Sequence, residues 1–544
     1  MELDAKEITK MVTAKETDFN DRHTIMDDDF MLWDMGTTAK STGASRMSGH
    51  QTDIAVVSNE LRTFADRVHG KLSAAERQIM VTMAEAEGQD KRDDIGKLER
   101  LLEFGFYKAD ERLRRMGFPP LRDSLIWYAG IRAGAAGRFW VYEIDEGKVI
   151  FDFMAWDPRW VTYEMGEDGI LWACYKTFRS PNVIQSEYGQ RLSGGKKAVK
   201  EVLDYWEYKD GKVVNAIVCD NDWLKESETF DLPSMPILIQ PVSSRPPVNK
   251  DDTIRDWGES LFAPVRDIFE VRNKFATVVA THAKLMAEQP LINYRDDKGE
   301  EIADVRQYAG GVMNLAVGHN KIEPSPMKEI SPTVTGILDW LGRQVENGIL
   351  PRVSIGESPS KSGTLYSLAQ EQADIIFHPQ LSLLNNFYTD ICRLVEEQII
   401  HGKLKVKVEV ESQKKYYETT IKPVDLKKPH IFKVLFTATT PWSQLPVAQQ
   451  AEMLKRLGLP DEWIWENILH IQDPKLLADL AAIELYEHSP EGAMKRAVEA
   501  LVRVRGDMQA ALSLVEMMDR AKEGEAPPEA PPEAPPEVPL GGGI

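Results

Sequence analysis

"PRVSIGESPSKSGTLYSLAQEQADIIFHPQ", residues 351–380, is a Gly/Ser/Pro loop with one lysine that runs straight into a helical pattern. Loops of this kind often cradle a phosphate at a helix N-terminus, so the first question is whether Lys361 belongs to a nucleotide site. The spacing argues against it. A phosphate loop needs G-x-x-x-x-G-K-[ST] after a buried strand. Here Gly356 is followed by Glu357, Ser358, Pro359, Ser360, Lys361 and Ser362, so the glycine before the lysine is missing. Pro359 also removes a backbone N–H that a phosphate would need. The preceding "QVENGILPRVSI" reads as helix end and loop, not as strand. The stretch is therefore a connection between two helices. "SPTVTGILDWLGRQVENG" precedes it with a Ser-Pro start. The helix that follows runs to about residue 402, with a kink expected at Pro379.

Upstream the pattern alternates between helix and strand in blocks. "NELRTFADRVHGKL" and "DDIGKLERLLEFGFYKADERLRRM" have apolar residues at helical spacing, so 54–116 reads as helical. "LRDSLIWYAGIRAGAA" adds another helix. From Arg138 the period becomes two, with hairpin signals at "DEGK", "WDPR", "GEDG" and the Asp210-Gly211 turn. "MPILIQPV" closes an antiparallel α+β domain. "WGESLFAPVRDIFEVRNKFATVVATHAKLMA", 257–287, reads as one long helix with Glu259 or Ser260 at its cap. A short β unit follows, with turn tips at "DDKG" and "GHNK". Beyond 402, "KLKVKVEVES" and "IFKVLFTATT" read as strands and the region from 446 as a helical bundle. The last 22 residues, 523–544, carry three "APPE" copies and no apolar payload, which predicts a disordered tail.

The bulk numbers set limits on function. With 544 residues, 42% hydrophobic and 28% charged, the chain has material for several cores. A net charge of −20 argues against a surface that grips nucleic acid everywhere, since such binding needs phosphate neutralisation. Three distant cysteines without CxxC spacing predict neither a disulfide framework nor a zinc site. The N-terminus lacks the charged-then-apolar layout of a leader, and no window approaches the ~18 apolar residues of a membrane span. Asp27, Asp28 and Asp29 read as a solvated charge run. No HExxH, GxSxG or GxGxxG in a βαβ setting occurs, and the ten histidines are scattered singly. No enzyme, cofactor or metal is expected.

The order of elements is the specific signal. "WGESLFAPVRDIFEVRNKFATVVA" resembles the start of the first stem helix in the portal proteins of tailed double-stranded DNA bacteriophages, the head–tail connector family. "ILPRVSIGESPSKSGTLYSLAQEQADIIFHPQLSLLNNF" is similar to that family's loop and long-helix stretch, with Pro351, Gly356, Glu371, Gln372, Phe377 and Pro379 in matching roles. "IFKVLFTATTPWSQLPVAQQAEMLKRLG" is similar to its strand-to-crown junction. The resemblance covers about residues 120–470, and 1–50 and the APPE tail have no counterpart in it.

The resemblance implies an α+β multidomain, portal-type fold. Its parts are an N-terminal arm (1–53), a wing (54–256), a first stem helix (257–287), a clip (288–329) and a second stem helix (330–349). A tunnel loop (350–364), a long kinked helix (365–402), strands returning to the wing (403–440), a helical crown (441–522) and the Pro-rich tail (523–544) complete it. It also implies a ring homo-oligomer, typically of about twelve subunits, at one capsid vertex of the virion, assembled in host cytoplasm. Double-stranded DNA would pass through during packaging and ejection. Terminase and then the head–tail connector would dock on the clip, and the major capsid protein would surround the wing.

The tunnel loop carries Arg352, Ser358, Ser360, Lys361 and Ser362 as DNA-facing candidates. The clip docking candidates are Arg295, Asp296, Asp297, Lys298, Glu300 and Glu301. Two readings stand for each set: brief phosphate contact or plain solvation for the loop cations, and an exchangeable docking surface or an ordinary solvated hairpin for the clip. Another virion structural protein (a tail or baseplate adaptor, or a minor capsid component) and a terminase-like ATPase are the alternatives.

Overall fold

Two hairpins show how directly the backbone follows the chain's turn chemistry. Asp210 and Gly211 sit at φ 52° and 76°, and Asp220 and Asn221 at φ 52° and 67°. These left-handed pairs make the tight turns whose twist matches that of antiparallel strands. They close Lys209 on Lys212 and Cys219 on Asp222.

The computed structural model describes residues 4–35, 56–83, 89–145, 148–190, 199–242, 257–287, 291–295, 320–324, 329–349, 363–412, 415–426, 430–437, 451–460 and 464. Two compact units divide the chain, Met1–Thr439 and Thr440–Ile544. In the second, residues 451–456 are helical. Apart from 451–460 and 464, the regions read from the sequence as a crown and a Pro-rich tail lie outside the described residues, as does 36–55.

The first unit mixes helix and sheet. Helices α1 (Ala5–Asp18), α2 (Asn20–Asp34) and α3 (Glu60–Ser73) precede strand β1 (Glu76–Met83). Helices α4 (Gln89–Arg115) and α5 (Leu121–Ile131) lead into β2 (Gly134–Asp145) and β3 (Lys148–Trp156). Next come β4 (Val161–Gly166), β5 (Gly169–Arg179), α6 (Pro181–Tyr188), β6 (Lys200–Lys209), β7 (Lys212–Cys219), β8 (Asp222–Phe230) and β9 (Ile237–Pro241). The remaining elements are α7 (Arg266–Ala287), β10 (Leu291–Arg295), β11 (Asn320–Pro324), α8 (Pro332–Gly348), α9 (Gly363–His401), β12 (Val406–Ser412), β13 (Lys415–Ile421) and β14 (His430–Thr437). One sheet has the order β4-β5-β6-β7-β8, another β3-β2-β9, and β1-β14, β10-β11 and β12-β13 are two-stranded. Among the described residues, no helix is long and apolar enough to cross a membrane.

Helix α9 organises the core. Leu384, Phe387, Tyr388, Ile391, Cys392, Val395 and Ile399 recur at helical spacing and are buried in the largest cluster, with Phe139, Phe153 and Phe436. Such side chains contribute about 1.5–3 kcal/mol each on burial. The helix runs through Pro379 without a break. There the Ile375 carbonyl loses its intrahelical donor, and Ile375 faces water at 67% exposure.

The same helix completes two sheets. Beyond Arg138, β9 no longer pairs with β2. The buried Gln398 amide takes over: Val141 N–H donates to its Oε1 (2.7 Å) and its Nε2 donates to Phe139 O (3.0 Å). On β14, the Val434 and Phe436 N–H groups donate to Thr389 Oγ1 (3.1 Å) and Asn385 Oδ1 (2.9 Å). The opposite edge of that ribbon is treated likewise, with Val81 N–H donating to Glu99 Oε1 of α4 at 3.0 Å. Buried backbone groups need such partners.

Several readings of the sequence change, among them the hairpin at "WDPR", since β3 and β4 on either side of it belong to different sheets. Residues 76–83, within the run read as helical, form strand β1, because its partner β14 lies some 350 residues away and outbids local propensity. The helix read over 257–287 begins only at Arg266. Glu259 N–H donates to Val242 O and Leu261 N–H to Gly130 O, so the segment before Pro264 is tied to other elements. Asn320 and Lys321, read as a turn tip, instead pair with Arg295 and Tyr294 across the β10–β11 ribbon.

The amide clasp is testable. Gln398→Leu strands the Phe139 carbonyl and the Val141 N–H in the core, which costs about 1–3 kcal/mol per group. Urea unfolding should show a lower midpoint with an unchanged slope.

Candidate functional surface: the paired helices and their root

Helices α7 and α8 pack together as an antiparallel pair. A Cβ at Gly348 would strike Val265, and one at Gly342 would lie against Arg272, so α8 runs back toward the start of α7. Ser331 caps α8, its Oγ accepting from Thr333 N–H at 3.3 Å, and Pro332 takes the first helical position.

The root of α7 is pinned at three levels. Arg266 donates twice to Asp29, each bond 2.7 Å. Arg272 grips both oxygens of Glu60 on α3, one at 2.9 Å. The Thr277 hydroxyl accepts from Val56 N–H at 3.0 Å. On α8, Leu341 and Val345 are buried, whereas the helix's first half is largely exposed. The uncovered side chains include large apolar ones. Val271 and Val278 on α7 are 41% and 48% exposed, and Ile337 and Trp340 on α8 are 38% and 57% exposed. Seven- and three-residue spacings put each pair on one side of its helix.

Asp29 corrects the reading of the acidic run as solvated. Successive helical residues point about 100° apart, so the three carboxylates serve different neighbours. Asp27 reaches Arg132 (3.4 Å) and Arg159 (2.8 Å), Asp28 is exposed, and Asp29 is buried at 1% exposure against Arg266. Burial pushes the Asp29 carboxyl above the usual carboxylate range, and the Arg266 bonds pull it back without cancelling the shift. On the same helix, burial and then Arg22 hold His23 down at about 3, so its ring is neutral. Arg22 itself lies against Phe19, with its guanidinium 3.7 Å from the ring centroid, and beside Trp257 at 4.6 Å.

Of the site residues read from the sequence, Arg295 alone is among the described residues. Arg295 is the last residue of β10, opposite Asn320. Asp296, Asp297, Lys298, Glu300 and Glu301 lie outside the described residues, as do Arg352, Ser358, Ser360, Lys361 and Ser362. The described neighbour of the loop on its N-terminal side is Ile349, which packs on the main core. Sequence reasoning did not single out Trp340, Ile337, Val271 or Val278. Their signal was present: both helices carry apolar residues on more than one side, wider than a single buried face requires.

Elsewhere, an open polar cleft lies between β9 and α9, lined by Gln240, His378, Ser382, Asn386, Asp390 and Arg393. Its Asp390 is engaged by Gln240 (2.5 Å) and Arg393 (3.1 Å). The three cysteines are buried, and burial pushes each thiol up, Cys219 to about 11 and Cys392 to about 12. None of them is poised as a thiolate nucleophile.

No family model matches the chain, and no curated protein matches it. Among solved structures, a chain from the "neck of empty GTA particle computed with C6 symmetry" is similar at 12% identity and a TM-score of 0.38. The match covers 78% of this chain and 94% of that one. A score at this level is below that of a shared fold.

The pinned root gives a graded expectation. Asp29→Ala leaves the Arg266 charge three-quarters buried without its partner. The loss should approach the ~3 kcal/mol at the low end for broken buried pairs. Asp28→Ala should stay within about 0.5 kcal/mol of the parent. Thermal melts of the two variants side by side separate these outcomes.

Proposed function

We propose that the chain is the portal subunit of a tailed double-stranded DNA bacteriophage. Copies close into a ring of about twelve at one capsid vertex. Double-stranded DNA passes through the ring during packaging and ejection, while terminase and later the head–tail connector dock on the tip around Arg295–Glu301. The protein acts without catalysis, in the virion, after assembly in host cytoplasm.

The observation that carries this reading is the helix pair. It stands on a root fixed to the α+β body, yet it presents Val271, Val278, Ile337 and Trp340 to water. Neighbouring copies would bury these side chains, at about 1.5–3 kcal/mol for each one fully covered. A heterologous contact of this kind closes into a ring when the rotation allows.

Charge fits the same reading. The helices mix Arg266, Asp267, Glu270, Arg272, Lys274 and Lys284 with Asp339, Arg343 and Glu346, so neither sign dominates. Each strong phosphate contact adds counterion-release affinity, and therefore drag on a moving duplex. A near-balanced lining on a chain of net charge −20 keeps that drag low.

Electron microscopy of the purified chain tests the proposal. Rings with a central hole about as wide as duplex DNA are expected, and Trp340→Asp should give folded single chains instead. A monomer or a solid plug from the parent chain would overturn it, as would clear ATP hydrolysis.

A further inference from the structure

The third contact along the α9–β14 seam differs in kind from the other two. Asn385 and Thr389 offer neutral acceptors to β14 backbone groups. Four and eleven residues beyond Asn385, the same helix face brings Thr389 and then Glu396 to the strand. The Glu396 carboxyl meets the ring Nδ1 of His430, the first residue of β14. Both side chains are nearly sealed from water, at 11% and 2% exposure. We propose that Glu396 and His430 form a proton-dependent clasp that fastens the start of β14 to α9, so that the strand loosens when the pair gives up its shared proton.

The geometry sets the logic. A carboxylic acid donates one hydrogen bond to a neutral imidazole, and the pair then carries no charge. Losing the proton leaves a carboxylate in a site with little water, which is costly unless the partner is charged. Among the described residues, the charge that acts on Glu396 is of the wrong sign: Glu397, the next residue of α9. Cys392, one turn back, is a buried neutral thiol near Arg77 of β1. Burial first, and Glu397 second, push the Glu396 carboxyl up to about 8. The consequence falls on the last strand of the first unit, since β14 ends at Thr437 and that unit at Thr439.

The sign follows from linkage. A carboxyl that titrates near 8 when clasped, and near its ordinary value when open, holds its proton better in the closed state. Closure is favoured at low pH and lost as pH rises toward 8. Below an ordinary histidine value of about 6.5, the opened His430 ring takes up a proton and works in the opposite direction. The informative window is therefore pH 6.5 to 8. There one proton makes the opening constant rise by up to about tenfold per pH unit, and above 8 the curve levels off.

Hydrogen–deuterium exchange on the full chain, corrected for the intrinsic pH dependence of amide exchange, reads this directly. Amides of residues 430–437 should open progressively more often from pH 6.5 to 8 and then level off, while the β6–β7 hairpin stays constant. Glu396→Gln, which keeps a neutral donor toward the imidazole, should flatten the response. Glu397→Gln should keep the slope and move its end to lower pH. A parent chain whose β14 opening is independent of pH would overturn the clasp. So would an equal slope in Glu396→Gln, or a β6–β7 response that matches β14.

Discussion

The first unit depends on one helix supplying what its sheets lack. A β-sheet that ends inside a protein leaves a row of N–H and C=O groups that water cannot reach, and each orphan costs about 1–3 kcal/mol. The unit contains a three-stranded sheet whose third strand has only five residues, and a two-stranded ribbon whose strands are far apart in sequence. Neither can satisfy its own edges. Gln398 replaces a missing β9 residue with a side-chain amide that has the donor and acceptor of a peptide. Asn385 and Thr389 supply acceptors to β14 from the same helix. Because α9 also buries Phe387, Tyr388 and Ile391, apolar packing and edge satisfaction fix its position together.

A second economy concerns the N-terminal helices. Helix α1 is held chiefly by Ala5, Ile8 and Val12, buried against Trp172, Tyr205 and Val218 of the five-stranded sheet. Its Lys15–Glu164 pair is half exposed on the Glu164 side, and pairs of that kind are worth roughly 0–1 kcal/mol. Burial therefore contributes most to where α1 lies, with the better-covered Glu16–Lys176 pair (2.6 Å) adding a second tie to β5. Helix α2 works differently. Its carboxylates reach Arg132, Arg159 and Arg266, which belong to the segment after α5, the turn before β4 and the first residue of α7. The desolvation that lifts the Asp29 carboxyl makes this arrangement a poor source of net stability and a good one of specificity. It favours one placement of α7 relative to the sheet.

Legibility in the sequence tracked the range of the interactions. Hairpins fixed by two-residue turns, such as Asp210-Gly211, were readable because the cause is local. So were α8, with its Ser331-Pro332 start, and α9, with its long apolar face. Strand β1 was not, since "ERQIMVTM" becomes a strand only by meeting β14. The run of three aspartates looked solvated because burial of Asp29 depends on an arginine 237 residues away. The element order of the candidate surface was legible, whereas the apolar side chains it leaves uncovered required the packing of α7 on α8 to be known.

These constraints bear on how a conduit could be built. A ring that passes a polyanion must hold its subunits strongly and its cargo weakly. Charge cannot do both, because cations that strengthened subunit contacts would also attract phosphate. Apolar contacts separate the two demands, since they are indifferent to the charge of what slides past. The helix pair fits this division: Asp29 and Glu60 engage Arg266 and Arg272 at the root, and the part left open includes the large apolar side chains Val271, Val278, Ile337 and Trp340. In such a ring, cations paired to carboxylates at the root would be withdrawn from the cargo. The acidic residues of α2 and α3 fasten the helix to its body and neutralise its arginines, which in the proposed conduit would otherwise slow the duplex.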